Sequence, residues 1–460
     1  MSKLCFFLQK LQNYKSYWRK SIWFCNVVIR TNGGTLTIDA ASNSVQHYGE
    51  GAVLTIEKIA NLSFHEYGYF SKASIKQGRI VVENTGKIQV IDASEATAPV
   101  SVEKAGSGEV VNVISGENAN VTVASDLTDK IAVKATASTK EELVTALAGS
   151  ATVIDLTANI TANTACELSK SVTIVGNGYK YSSSTPFDGA LFKLTGENNS
   201  IYITNLNLEN VNSSSPSSGK SRCIEIDQNA TTSNLKVEFT DLKIFAKYGF
   251  YSERSALDGE GNSVGGHHNV SLRNCEFNPS CYIAFYWRLS DSNVVAEKCS
   301  FGSLNSSNGG GNSTGTVCIG NAKETAGRPQ NNTFTLNDCV VDTIQTGSSS
   351  QTAITIWSPF NNIVNVNNSV FSGKRISVVA QRWENQEIAK PSHVYFNGEL
   401  GDSDLNVLVA TAFDNLDVKM HGGTTSYYID NGSHKVADGI LDGYEVVQNG
   451  DGTYSVRPQA

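Results

Sequence analysis

An all-β solenoid is the fold this sequence predicts: a right-handed parallel β-helix of stacked short strands, with a short N-terminal capping helix and a smaller strand-rich, solenoid-like region before it. Three observations carry the prediction. Asn, Ser, Thr and Gly are abundant while charged residues make up only 17% and Met occurs twice, a mixture suited to short strands and tight turns. One eight-residue template recurs six times from residue 201 onward. A second short apolar run follows every copy.

The first thirty residues are basic and aromatic. They carry Lys3, Lys10, Lys15, Arg19, Lys20 and Arg30 with no acid, so the remaining 430 hold 44 acids against 30 bases, about −14. An acidic body argues against a nucleic-acid partner, because phosphate binding needs a basic face. The longest apolar run before Lys10, Leu4–Leu8, is too short for a signal peptide, and no later run reaches membrane-spanning length. Membrane insertion is not expected, and this start is read as something other than a natural domain boundary.

Residues 31–135 hold short β-type runs at Thr35–Ile38, Val53–Ile56, Ile80–Glu83, Ile88–Ile91, Val110–Ile114 and Val121–Val123, with Gly or Asn in most gaps. Two turns echo each other, His47-Tyr48-Gly49 and His65-Glu66-Tyr67-Gly68, their tyrosines 19 residues apart. That echo predicts a small solenoid. The two histidines lack a third ligand at a recognisable metal-site spacing and are read as stacked structural residues.

Residues 138–149 change period. Ser138 with Glu141 makes a capping-box pattern, and Leu143, Ala146 and Leu147 share one helical face. A short helix here, followed by strands at 153–156 and 172–175, is placed to cover an exposed solenoid end.

The template reads apolar-x-apolar-x-polar-small/apolar-x-apolar. It appears at Ile201–Leu208, Val237–Ile244, Val270–Phe277, Val294–Phe301, Phe334–Val341 and Val364–Phe371, with starts 36, 33, 24, 40 and 30 residues apart. Second strands follow at Cys223–Ile226, Tyr248–Phe250, Tyr282–Phe285, Val317–Ile319, Ala353–Ile356 and Ile376–Val378. A single coil cannot bury its apolar residues alone, but stacked coils share a continuous core, and loops of unequal length leave the frame constant. Cys275, Cys299 and Cys339 occupy one template position in successive coils, with Leu206 and Leu242 there earlier. That position predicts an inward ladder of reduced thiols, although coil spacing would permit a Cys275–Cys299 bridge. The expected organisation is a basic segment at 1–30, a solenoid-like region at 31–135, the β-helix at 136–385, and C-terminal strands with a closing hairpin at 386–460.

Function is expected at the ends of the second strands. Ser/Gly-rich insertions at Asn212–Ser221, Gly302–Thr314 and Thr346–Gln351 leave one corner of the helix. An outward position is expected at Asp227, Tyr251, Tyr286, Gly320, Trp357 and Gln381, followed by Glu253, Arg254, Trp287, Arg288 and Arg382. Tyr251, Tyr286, Trp287 and Trp357 are the candidate ligand-binding residues, because sugar rings stack on aromatic faces while acids and arginines hold hydroxyls or carboxylates. The competing reading has them covering the turn edge.

The repeat, the capping helix and Ser171-Val-Thr-Ile-Val-Gly-Asn-Gly178 resemble the pectate-lyase-like right-handed parallel β-helix superfamily. The likeness is greatest to modules of large, adhesin-like bacterial cell-surface proteins. The end of the chain, Gly443 to Val456 around an Asn-Gly-Asp-Gly turn, is similar to the hairpin that closes such modules. The resemblance implies an extracellular or cell-surface location and a glycan or host-surface ligand. It covers roughly residues 136–456, and 31–135 more loosely.

Hydrolases of that superfamily resembling polygalacturonases use several Asp on neighbouring coils, a Gly-His-Gly turn and an Arg-x-Lys. Here Gly266-His267-His268 and Arg288 are faint counterparts, and the paired Asp-Asp is missing. Glycoside cleavage needs two flanking carboxylates, for which the stripe offers Asp227 and Glu253. A catalytic set would be Asp227, Glu253, Arg254, His267 and Arg288. A calcium-dependent lyase would need several oxygen ligands. Asp258-Gly-Glu260-Gly-Asn262 alternates them, yet a Gly-rich turn needs no ion to explain it. The expectation is therefore a non-catalytic surface module for adhesion or glycan binding, without cofactor or metal. A polysaccharide lyase or glycoside hydrolase acting on an acidic glycan is the alternative. Oligomeric state is not legible in the sequence.

Overall fold

The computed structural model describes residues 7–8, 14–16, 27–39, 44–59, 63–117, 120–185, 187–210, 220–227, 232–252, 256–257, 263–264, 266–279, 281–303, 315–320, 329–343, 352–357, 361–372, 376–381, 392–400, 407–410, 416–425 and 440–460. At 7–8, 14–16, 256–257, 263–264, 343, 352, 357, 372, 376–381, 399–400, 407–410, 416–418 and 425 only the backbone is described. The chain divides into two compact units, residues 1–137 with 145–156, and 138–144 with 157–460. Each is all-β with parallel sheets curled about a buried apolar interior. No helix among the described residues is long and apolar enough to cross a membrane.

In the first unit the long strand Val45–Ile56 pairs in parallel with Val27–Asn32 and Thr35–Ile38 on one side, and with Ser63–Glu66 and Tyr69–Ile75 on the other. Gly78–Val82 with Lys87–Asp92, then Val100–Lys104 with Glu109–Ile114, extend the two rows in the same sense. The backbones at Phe7–Leu8 and Tyr14–Ser16 pair in parallel with Val28–Ile29 and Leu36–Ile38, continuing the rows into the basic segment. Alternate residues point inward, so Leu54, Phe64, Phe70, Ile80 and Ile88 are fully buried. The echoing turns lie on adjacent parallel strands. Tyr48 and Tyr67 stack with ring centroids 4.6 Å apart, and a Cβ on Gly68 would lie 2.0 Å from the Gly49 carbonyl oxygen. Only glycine lets adjoining coils approach so closely.

The histidines of those turns pair with carboxylates. His47 Nδ1 lies 2.8 Å from Glu66, both side chains fully buried, and His65 Nδ1 lies 2.6 Å from Glu83. Among the described residues no three His, Cys, Asp or Glu side chains gather to hold an ion.

A helix forms at Lys140–Ala148, as its period predicts. The cap is shifted by one residue from the expected box. Thr139 Oγ1 accepts from the Glu142 N–H at 3.2 Å, while the Glu142 carboxylate accepts from the Ser138 N–H and hydroxyl, each at 2.7 Å. Glu142 rather than Glu141 closes the box because the third residue after the cap is the one that reaches back.

The second unit holds two parallel ladders that the chain visits alternately. The first ladder, running along the chain, includes Val172–Val175, Ser200–Asn210, Lys236–Ala246, Asn269–Arg273, Asn293–Glu297, Thr333–Asn337, Ile363–Ser372, Ser392–Leu400 and Leu416–Thr425. The second includes Ala190–Leu194, Arg222–Ile226, Tyr248–Ser252, Ile283–Trp287, Gly315–Ile319, Thr352–Trp357, Ile376–Gln381 and Val407–Ala410. An antiparallel hairpin, Tyr444–Gln448 with Tyr454–Pro458, ends the chain. The template positions fall in register. Ile203, Phe239, Leu272, Ala296, Leu336, Val366 and Phe396 form one inward column. Cys275, Cys299 and Cys339 are buried free thiols; burial first, and the Cys275 thiol second, push Cys299 well above the usual thiol range against an opposing hydrogen bond with Cys339.

Left-handed corners explain the polar position of the template. Asn205, Asp241, Asn274, Lys298, Asp338 and Asn368 all have φ between 49° and 55°, bending each coil at the same point. A second set at Asn198, Asn234, His267, Asp291, Asn331 and Asn361 bends it again three residues before the template. Asn and Asp tolerate this region better than other side chains. Inside the second corner, His268, Ser292, Asn332, Asn362 and Ser392 are buried and bond from coil to coil. Ser292 N–H donates to Asn332 Oδ1 at 3.0 Å, Asn332 Nδ2 to Asn362 Oδ1 at 3.0 Å, and Asn362 N–H to Ser392 Oγ at 3.0 Å. The ladder satisfies backbone groups that the bend removes from the sheet. Lys298 is the outlier of the first set. Lys298→Asn is expected to raise stability by about 1 kcal/mol, read as a higher urea midpoint at unchanged slope; an unchanged or lower midpoint would argue against strain at this corner.

Candidate functional site

The second ladder's outward face sorts the candidates differently from the sequence. Glu225, Tyr251, Tyr286 and Cys318 are in register. Trp357 instead aligns with Gln381, while Ile356 lies beside Ile319 and Ile319 beside Trp287. Asp227, Gly320, Trp357 and Gln381 thus lie two residues beyond the Tyr251 column. Strand lengths differ from coil to coil, so counting from the end of each strand misplaces them.

Trp287 is the principal correction. The sequence places it outside; it is fully buried, with Phe285 parallel to it and Phe334 edge-on, each at about 6 Å. Its strand runs one residue past Tyr286, and the pleat turns residue 287 inward. The indole Nε1–H is satisfied by the Leu289 carbonyl at 3.0 Å. The side chain of Trp357 lies outside the described residues, as do Glu253, Arg254, the Asp258–Asn262 turn and most of the three Ser/Gly-rich insertions.

Around Tyr251 and Tyr286 the fold builds a larger group. Tyr251 is only 6% exposed because the Arg222 guanidinium lies 3.9 Å above its ring, while Arg288 donates to its hydroxyl at 2.7 Å. The Arg288 guanidinium also lies 5.7 Å from the Tyr286 ring centroid. Tyr248 packs against Tyr251, Tyr282 and Tyr286 at centroid distances of 5.5, 6.1 and 6.0 Å. Lys247 sits over the Tyr248 and Tyr282 rings at 5.5 and 5.4 Å, within cation–π range. Tyr248, Tyr282 and Tyr286 remain half-buried, presenting an edge of aromatic surface. Burial foremost pushes the Tyr248 phenol up to about 12, so it stays a neutral hydrogen-bonding group at physiological pH.

Charge on this face favours an anion. Arg222, Lys247 and Arg288 line the aromatic group; burial foremost lowers the Lys247 pKa, Asp188 opposes the shift, and Lys220 adds to it. Among the described residues the acids here include Glu225, ion-paired with Arg222, Asp227, ion-paired with Lys193, and Asp188. Lys247 has no carboxylate partner within ion-pair distance among the described residues.

The remaining catalytic candidates have local tasks. Asp227 pairs with Lys193 at 3.1 Å. His267 is an exposed left-handed corner residue with φ 56°, and a Cβ on Gly266 would lie 2.4 Å from the Ser290 carbonyl oxygen. The Gly-His-His segment is thus one bend of the coil. Its second histidine, His268, is buried against Trp287, accepts the Leu235 N–H at Nδ1, and is pushed down to about 3 by burial first and His267 second.

Arg222, Lys247, Tyr248 and Tyr282 were missed by sequence reasoning. All four stand at or just before the start of a second strand, whereas the expected stripe lies at its end. The signal was a tyrosine at the entry of two successive second strands, Tyr248 and Tyr282, which the register offsets by one residue by placing Tyr248 beside Ile283. No protein-family model, curated protein or solved structure matches the chain.

Proposed function

We propose that this chain is a secreted or cell-surface, right-handed parallel β-helix that binds an acidic glycan without cleaving it. The observation that carries the reading is the outward group of Tyr248, Tyr282 and Tyr286 flanked by Lys247 and Arg288. Tyrosine edges offer apolar surface to a sugar ring, while the cations suit a uronate or another sugar carboxylate. The helix reading is supported by the linear strand order, in which the described pairings include none that joins the two ends of a ladder as a closed barrel requires. Right-handedness follows from the near-universal sense of parallel crossovers. The surface location rests on the resemblance to cell-surface modules.

The test is equilibrium binding of oligogalacturonate and of an uncharged oligosaccharide of equal length. Oligogalacturonate is expected to bind more tightly, and to weaken as salt rises. Tyr286→Ala should weaken it about fivefold, near 1 kcal/mol for one lost aromatic contact, with little change in melting temperature. Failure of the acidic oligosaccharide to bind, or binding indifferent to this substitution, would remove the site. Turnover of the bound chain would replace the binder with a lyase or hydrolase.

A further inference from the structure

The first ladder of the second unit carries a separate open groove toward its C-terminal end, lined by Thr335, Asn365, Asn367, Tyr395, His421 and Leu441. Thr335, Asn365 and Tyr395 are partners in successive coils, so their side chains leave the same face one strand apart, about 4.8 Å each. Asn367 stands two residues along from Asn365, beside Asn337 in the preceding coil.

Polar groups of the groove are held in place yet retain bonding capacity. Asn365 Nδ2 donates to Thr335 Oγ1 at 3.5 Å, and Asn367 Nδ2 to Asn337 Oδ1 at 2.9 Å. Each carboxamide keeps an acceptor oxygen and a second N–H for a ligand. The Tyr395 ring lies parallel to His393, 10° from coplanar and 6.2 Å away, which fixes the phenol as a platform. His421 is edge-on to Tyr444, and burial lowers its pKa from the usual imidazole value, leaving it neutral at pH 7. The six lining side chains therefore carry no charge; Lys419 follows Tyr395 in the register, outside the lining.

We infer that this groove is a second ligand site, for a neutral, extended polysaccharide lying along the stacking direction. An aromatic platform takes the apolar face of a pyranose. Carboxamides that both donate and accept match vicinal hydroxyls, which do the same. Thr335, Asn365 and Tyr395 follow one another at one strand spacing, close to the rise of one sugar unit along an extended glycan, so successive units meet a hydroxyl, a carboxamide and the aromatic platform in turn. The absence of charge from the described lining residues separates this ligand class from the acidic one proposed for the second ladder, and neither site depends on the other.

Titration calorimetry of the full chain with cellohexaose and with the hexamer of β-1,4-linked N-acetylglucosamine tests the inference. At least one is expected to bind, more tightly than its own dimer and with little dependence on salt. Tyr395→Ala should weaken it tenfold or more, and Asn365→Ala about threefold. Oligogalacturonate binding should be unchanged in both variants. Asn365 is half-exposed, so its replacement keeps the test valid if the tyrosine variant melts early. Binding of neither hexamer, binding unchanged in both variants, or equal loss of the acidic ligand would overturn the inference. Loss of oligogalacturonate binding in Tyr286→Ala alone bears only on the other face.

Discussion

Trp287→Ala is expected to destabilise the second unit by about 3–5 kcal/mol, the usual cost of removing a large buried aromatic. The neighbouring Tyr286→Ala should cost well under 1 kcal/mol, since its side chain is half-buried on the outer face. The contrast between adjacent residues is the sharp part. Trp287 fills the space between Phe250, Phe285 and Phe334 with centroid distances of 6.1, 6.0 and 6.1 Å, and no neighbouring aromatic can expand to close the void. The loss also strips the Leu289 carbonyl of its indole donor. Urea denaturation of both variants measures it. Equal losses would mean that both rings are structural and would remove the outward face; a stable Trp287→Ala protein would invert the pleat at this strand.

The second large effect belongs to the first unit. Glu66→Ala is expected to cost about 3–5 kcal/mol, because it leaves the buried His47 ring and the Gly68 N–H without their shared acceptor. The Thr31 hydroxyl lies 2.7 Å from His47 Nε2, so the ring's other nitrogen is already engaged. Glu66→Gln keeps a hydrogen-bonding group and isolates the effect of charge. Burial, the largest influence, raises the Glu66 pKa above 4.5, while the His47 hydrogen bond and charge oppose it. A raised carboxyl holds its proton in the folded chain after the unfolded chain has released it. Its stabilisation is therefore complete below about pH 4.5 and is lost as pH rises through the folded value. The stability of wild type relative to Glu66→Gln should fall from pH 4 towards neutrality. A pH-independent difference between the two would show that burial leaves this carboxyl unshifted.

The sequence by itself determined the frame. The apolar spacing of Ile201–Leu208 and its five copies fixed where strands begin and which residues face inward, because a strand's pleat is local and has a period of two. The same spacing placed Cys275, Cys299 and Cys339 in one buried column, and the change of period at residues 138–149 marked the helix. Only the tertiary structure decided what gathers outside. Whether Trp287 faces in or out depends on one additional residue of strand, and whether Trp357 joins Tyr286 depends on the register between coils. That register is set by bends at residues such as His267 and Lys298, whose positive φ no residue type announces. Tyr251 and Tyr286 were legible as an outward pair, since each follows an inward phenylalanine. Their partners Arg222, Tyr248 and Tyr282 come from three different coils, brought together by hydrogen bonding between strands far apart in the chain. A local pattern specifies the faces of a strand; what stands beside them is fixed only when the strands pair.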